Sequence, residues 1–195
     1  MFICDLQGAT VCWTGTDDAL CVGDNDYGNI LFISNAGTVY STNSLVGNET
    51  GSSNNLVVVQ GLGSVWWNFG TLTIGRAGGY NSLLITSGGK VIDDLVIGEN
   101  SDYNSVTNSG GTQWVTNGSG LLLVGSNGSY NSYILDSGGV LVSSNTTIGV
   151  TANSSNNFIS VSGTGSVWTN YAILTVGEAG AGNRMLVTNG GWVVF

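Results

Sequence analysis

The chain has 195 residues, a formal net charge of −9 and only 8% charged residues. Arg76, Lys90 and Arg184 are its only cations and it has no histidine. It therefore lacks the Lys and Arg contacts that release counterions from nucleic acid or hold an anionic lipid surface. No apolar run is long enough to insert in a bilayer as a helix. With 42% hydrophobic residues, 32 glycines and no proline, the composition fits a periodic fold better than disorder.

In chain order, Met1 to Trp13 lacks the basic start and apolar centre of a signal peptide. The expectation is that a signal was removed or that numbering begins inside a longer polypeptide. Phe2 to Trp13 (F-I-C-D-L-Q-G-A-T-V-C-W) aligns with Phe158 to Trp168 (F-I-S-V-S-G-T-G-S-V-W), with one insertion. The chain thus opens inside a repeat unit, a part-coil over 1–22. Cys4, Cys12 and Cys21 all lie in it. Three thiols allow at most one internal disulfide. They read as small apolar fillers or as cross-links to a neighbouring chain. A metal site is the weakest reading, because there is no histidine and no C-x-x-C.

From there a Val or Ile precedes a glycine seven times, at Gly23, Gly47, Gly75, Gly98, Gly125, Gly149 and Gly177. An asparagine follows each, six or eight residues on: Asn29, Asn55, Asn81, Asn104, Asn131, Asn157 and Asn183. The glycine spacings alternate as 24, 28, 23, 27, 24 and 28 residues. The true period is therefore a short unit A plus a long unit B, about 51 residues together. Unit A reads L-T-I-G-R-A-G-G-Y-N-S-L-L-I-T-S-G-G-K-V at Leu72 to Val91 and recurs from Leu122 and from Leu174. Unit B carries G-L-G-S-V-W at Gly61 to Trp66 and G-T-G-S-V-W at Gly163 to Trp168, with S-G-G-T-Q-W ending at Trp114 in the middle copy.

Each unit holds three short apolar stretches. In one they are Leu72–Ile74, Ser82–Thr86 and Lys90–Ile92, broken at Arg76–Tyr80, Ser87–Gly89 and Asp93–Asp94. None is long enough for a helix, and glycine interrupts any 3.6-residue period. The expected fold is all-β: a right-handed parallel β-helix, or three-strand β-solenoid, forming a single domain over 1–195. It has about seven full coils, starting near 23, 47, 75, 98, 125, 149 and 177, plus the part-coil. At roughly 4.8 Å per coil this is a rod on the order of 35–40 Å long. Positions two and four after each Asn alternate apolar and should point inward; Asn108 is the one misfit. The Asn file reads as a ladder of stacked amides, with the Asn itself at the left-handed bend that opens a strand. The Gly file marks a corner where a Cβ would clash.

Trp13, Trp66, Trp114 and Trp168 fall once per B unit. They are expected to form a column on the outer face, either covering the long B turn or offering a platform for glycans. Phe32, Val58, Leu84, Ile134 and Leu186, with Thr107 and Ser160, form a second outward stripe, either an interaction surface or one covered by a loop. Asp24, Asp26 and Glu49 are weak candidates for Ca²⁺. Asp17–Asp18 and Asp93–Asp94 read as solvated turn residues; the N-x-S/T triplets at Asn48, Asn117, Asn127, Asn145 and Asn153 read as ordinary turns, open to glycosylation only in a eukaryotic secretory setting. Scattered acids and the lack of histidine leave no acid–base pair for catalysis, so no enzyme and no cofactor are expected.

The motif L-T-V-G-x-x-G-x-G-N-x-L-x-V-x-N-G-G-x-V, with G-x-G-S-V-W in the alternate unit, resembles the repeats of type V secretion autotransporter passengers and of PEP-CTERM-associated bacterial surface proteins. The resemblance covers essentially the whole chain. It implies an extracellular or cell-surface bacterial β-helix serving as an adhesin, stalk or matrix component. The expected partner is the chain itself, by head-to-tail stacking or as part of a longer parent chain. The alternative is a glycan-binding adhesin module using the Trp column.

Overall fold

The computed structural model describes residues 3–7, 10–13, 20–116 and 118–195, with side chains from Leu20 onward. Asp17, Asp18 and Asn117, and the side chains of Cys4, Cys12 and Trp13, lie outside the described residues. The described residues contain strands and turns and no helix. All strand pairs are parallel, and the chain winds as a β-solenoid of about seven turns.

One sheet has eight strands, one per level, running from Ile3–Gln7 through Ile30–Ser34, Leu56–Gln60, Ser82–Thr86, Ser105–Ser109, Ser132–Asp136 and Phe158–Ser162 to Arg184–Thr188. The other thirteen strands form one bent sheet that supplies the remaining two sides. In two levels those two sides merge into one long strand, Val65–Ile74 and Lys90–Ile97. The expected break at Asp93–Asp94 is thus absent, although the register shifts there against the preceding strand.

Alternation fills the interior. Leu31, Val57, Leu83, Val106, Tyr133 and Ile159 are buried in one file, and Ile33, Val59, Ile85, Asn108, Leu135 and Val161 in the next. Burying a Val or Leu is worth about 1.5–3 kcal/mol, and each of these files continues through the described coils. Asn108 fits because it works as a cap. Its Oδ1 accepts from Gly111 N–H at 3.0 Å and its Nδ2 donates to Val140 C=O at 2.9 Å.

The corner is held by a glycine and an asparagine from successive coils. Gly23, Gly47, Gly75, Gly98, Gly125 and Gly149 have φ between +69° and +81°. At each of them an added Cβ would overlap the side chain of Asn55, Asn81, Asn104, Asn131, Asn157 or Asn183 respectively. The missing methyl is the space the next coil's amide occupies. Each amide oxygen then accepts the backbone N–H of the preceding Asn, at 2.8–3.0 Å in all six steps from Asn29 to Asn183. Nδ2 groups complete the ladder, donating along it, as Asn55 does to Asn81 Oδ1 at 2.9 Å, or to a corner carbonyl, as Asn157 does to Gly128 at 3.0 Å. The left-handed residue is not the Asn but the one before it: Gly28, Asn54, Tyr80, Tyr103, Tyr130, Asn156 and Gly182, with φ between +55° and +71°. The amide is committed to the ladder, so the preceding residue makes the bend.

Gly125→Ala should cost about 3 kcal/mol or more, from overpacking against Asn157 plus the left-handed strain. Gly138→Ala carries similar strain at φ +79° but meets open space, so it should lose only about 1 kcal/mol. Urea denaturation of both variants measures the difference. Equal losses would show that the amide does not occupy that space in solution.

Candidate functional site

The tryptophans do not form one outward column. Trp66 and Trp168 are 0% exposed and lie inside the coil. Their indole N–H groups donate to Ser41 Oγ at 3.1 Å and Ser143 Oγ at 2.8 Å in the preceding A unit. Those serines donate in turn to Asn68 and Asn170 Oδ1, each at 2.9 Å. A buried indole needs such a partner, and the alternate unit provides it.

Trp114 departs because of turn length. The register makes Val59, Ile85 and Asn108 equivalent, and likewise Val65, Lys90 and Thr112. The turn at 109–111 is therefore two residues shorter than that at 60–64. The tryptophan lands one position further along its strand, and Gln113 takes the inward place. Trp114 instead aligns through Ile92 with Trp67 and Tyr40 on the outer face. Trp13 aligns with Ser41, again off the Trp66 file.

The outer face that results is aromatic. Trp67 is 37% exposed, Trp114 41% and Phe69 51%. Tyr40 and Phe69 stack with centroids 6.2 Å apart, and Trp67 lies 5.7 Å from Phe69. Lys90 Nζ sits 3.2 Å from the Trp114 ring centroid. This cation–π contact lies beside rings that can stack on the apolar faces of sugars. Of the second stripe, Phe32, Leu84, Thr107, Ile134 and Ser160 are half-buried, Val58 is buried and Leu186 is exposed.

A second aromatic file stands on the corner. Tyr80, Tyr103 and Tyr130 stack with centroids 4.9 and 5.0 Å apart and planes within 7° and 6°, each about half exposed. All three have left-handed backbones, at roughly 1–2 kcal/mol each for a residue with a Cβ. Two stacks at about 0.5–1.5 kcal/mol each at best recover that. The sequence signal was a Tyr-Asn pair in three successive coils.

Asp93 is the other residue the sequence misled on. It is fully buried. Gln113 Nε2 donates to its Oδ2 at 3.0 Å, and Tyr133 Oη donates to Gln113 Oε1 at 2.8 Å. Its Oδ1 has no partner among the described residues. Burial, with a smaller push from the Asp94 charge and against the Gln113 hydrogen bond, raises its pKa to about 8. Burial likewise pushes the Tyr133 phenol up, so both groups are neutral at pH 7. Asp94 is no solvated turn either. Its carboxylate accepts Ser119 N–H and Oγ–H, Gly120 N–H and Leu121 N–H at 3.0–3.3 Å, fixing the loop after Val115.

Asp24, Asp26 and Glu49 do not converge: among the described residues no group of three acids, cysteines or histidines could hold a metal. Asp24 accepts Asn48 Nδ2 at 2.6 Å, and Asp26 accepts Asn29 Nδ2 at 2.5 Å. Cys21 is a free, exposed thiol, its pKa raised by partial desolvation and by Asp24. Asn48, Asn127 and Asn153 hydrogen-bond between coils at the surface, whereas Asn145 lies in a strand. Together these features define the molecule as a β-solenoid with an aromatic outer face. Compared with protein-family models, with curated proteins and with solved structures, the chain matches none.

Asp93 binds a proton in the folded chain up to about pH 8, but in the unfolded chain only below its ordinary 3.8. The stability it contributes is complete below about pH 4 and is lost as pH rises through 8. Thermal melts of wild type and Asp93→Asn from pH 4 to pH 9 should diverge, the variant losing less stability with pH. Parallel curves would mean the carboxyl is ionised in the fold.

Proposed function

We propose that this chain is a structural β-solenoid segment of an extracellular bacterial fibre, stalk or matrix, extended by coil stacking. One observation carries the reading. Six of the seven corner glycines receive an Asn from the coil that follows, and Gly177 keeps the same left-handed backbone, with the Gly180 carbonyl oxygen 3.2 Å from where a Cβ would stand. Around it Met185 and Val187, which continue the two buried files, are partly exposed. Each internal coil thus offers its successor the same glycine space, amide ladder and apolar files, a coil-to-coil contact that repeats along the axis. The scarcity of charge suits close stacking of Ser, Thr, Asn and Gly surfaces. The repeat's likeness to autotransporter passengers and PEP-CTERM-associated surface proteins supports an exported location.

The aromatic face supports a second reading, a glycan-binding adhesin module. It rests on Tyr40, Trp67, Phe69 and Trp114 rather than on the buried tryptophans.

Electron microscopy at neutral pH should reveal long unbranched fibres whose axial repeat is a multiple of the coil rise; a stable monomer by sedimentation would overturn self-stacking. On a glycan array, Trp67→Ala and Trp114→Ala should each weaken binding about tenfold, a loss of about 1.4 kcal/mol per stacking ring. Unchanged binding removes the second reading.

A further inference from the structure

The tyrosine file is not explained by stability. At the same corner position the other four coils use Gly28, Asn54, Asn156 and Gly182, residue types that take a left-handed backbone at little cost. Stacking at best offsets the strain of the three tyrosines, so the phenol groups themselves call for a chemical account. They are exposed, nearly parallel, and close enough for neighbouring rings to touch. Strain held at an exposed cluster of one reactive side chain points to a functional site.

We propose that Tyr80, Tyr103 and Tyr130 form an oxidative cross-linking site, where hydrogen peroxide activated by a haem peroxidase joins neighbouring coils through a carbon–carbon bond. Each of two adjacent phenols gives up one electron and one proton. The two phenoxyl radicals couple between ring carbons next to the hydroxyls. The hydrogen on each coupled carbon then moves through solvent to the oxygen, restoring both phenols. For each bond, two hydrogens leave the protein and one peroxide becomes two waters.

The stack selects the partners. Tyr103 touches both Tyr80 and Tyr130, so coupling is intramolecular and gains the effective concentration of pre-aligned groups. Tyr133 is buried, and among the described residues Tyr27 and Tyr171 stack on no other tyrosine. In a solenoid each coil is held only by its neighbours. One bond across this corner would tie two of the coils starting at Gly75, Gly98 and Gly125, two bonds all three, and stop unravelling from passing them.

The test treats the dilute full chain with a haem peroxidase and peroxide, and follows dityrosine fluorescence, intact mass and cross-linked peptides. The expected product is a monomer lighter by two hydrogens per link, with links at Tyr80–Tyr103 or Tyr103–Tyr130. Tyr103→Phe keeps the ring stack but removes the shared phenol, and should cut the intramolecular yield about tenfold or more. The wild-type chain in denaturant should fall similarly. Wild-type yield in Tyr103→Phe, links at Tyr27 or Tyr171, or equal yield in denaturant would each overturn the proposal. None of these outcomes depends on whether the chain forms fibres.

Discussion

The structure depends on one steric exchange, a glycine without a Cβ in one coil and an amide that fills that space from the next. The exchange makes the corner specific. An amide buried without partners would cost about 1–3 kcal/mol, so each Asn must find its ladder, and the ladder exists only where the glycine file leaves room. Asn81, Asn104 and Asn131 are fully buried, which leaves the backbone no tolerance for slipping. A one-residue slip would also turn Leu83, Val106 and Tyr133 outward. Polar and apolar files therefore fix the same register independently.

With the corner anchored, the rest of each coil is free to vary. In the first and last full long units Trp66 and Trp168 are buried and need a hydroxyl one level away. Ser41 and Ser143 stand in that place only in A units. The register sets each indole opposite Val39 or Leu141 and each serine opposite Asn68 or Asn170, so donor and acceptor come from neighbouring coils. In these two pairs of coils the alternation sets an indole donor in the long unit against a hydroxyl acceptor in the short one. Length differences are absorbed at the outer turns, where extra residues push Phe69 into solvent and where Asp94 ties down the loop at 118–121.

What could be read from sequence follows from this division. The Gly and Asn files and the alternating strands depend on residue identity at fixed spacing, so they are legible in the sequence. Trp114 was misplaced because its side of the sheet depends on the length of the turn before it, and a two-residue deletion hides behind a G-G pair that looks like other turns. Asp93 was misread because a polar pair normally breaks a strand; what keeps the strand whole is Gln113, one coil away and itself displaced by the same short turn. The tyrosine file was missed because φ is set by the ladder Asn that follows each ring, not by the tyrosine.

These departures converge on one coil, the one starting at Gly98. It contains Asn108, Gln113, Trp114 and Tyr103, and it borrows Asp93 from the coil before and Tyr133 from the coil after. In a stack where each level touches only its neighbours, an irregular coil must be completed by the two beside it. The short turn removes an indole from the core, and three polar side chains and one carboxyl proton fill the gap. That makes this level the one whose cohesion depends on protonation. The middle ring of the tyrosine stack, Tyr103, lies on the outer corner of that same coil. The surface contact that bridges three coils therefore spans the level whose interior is least apolar, where a purely hydrophobic stack would be weakest.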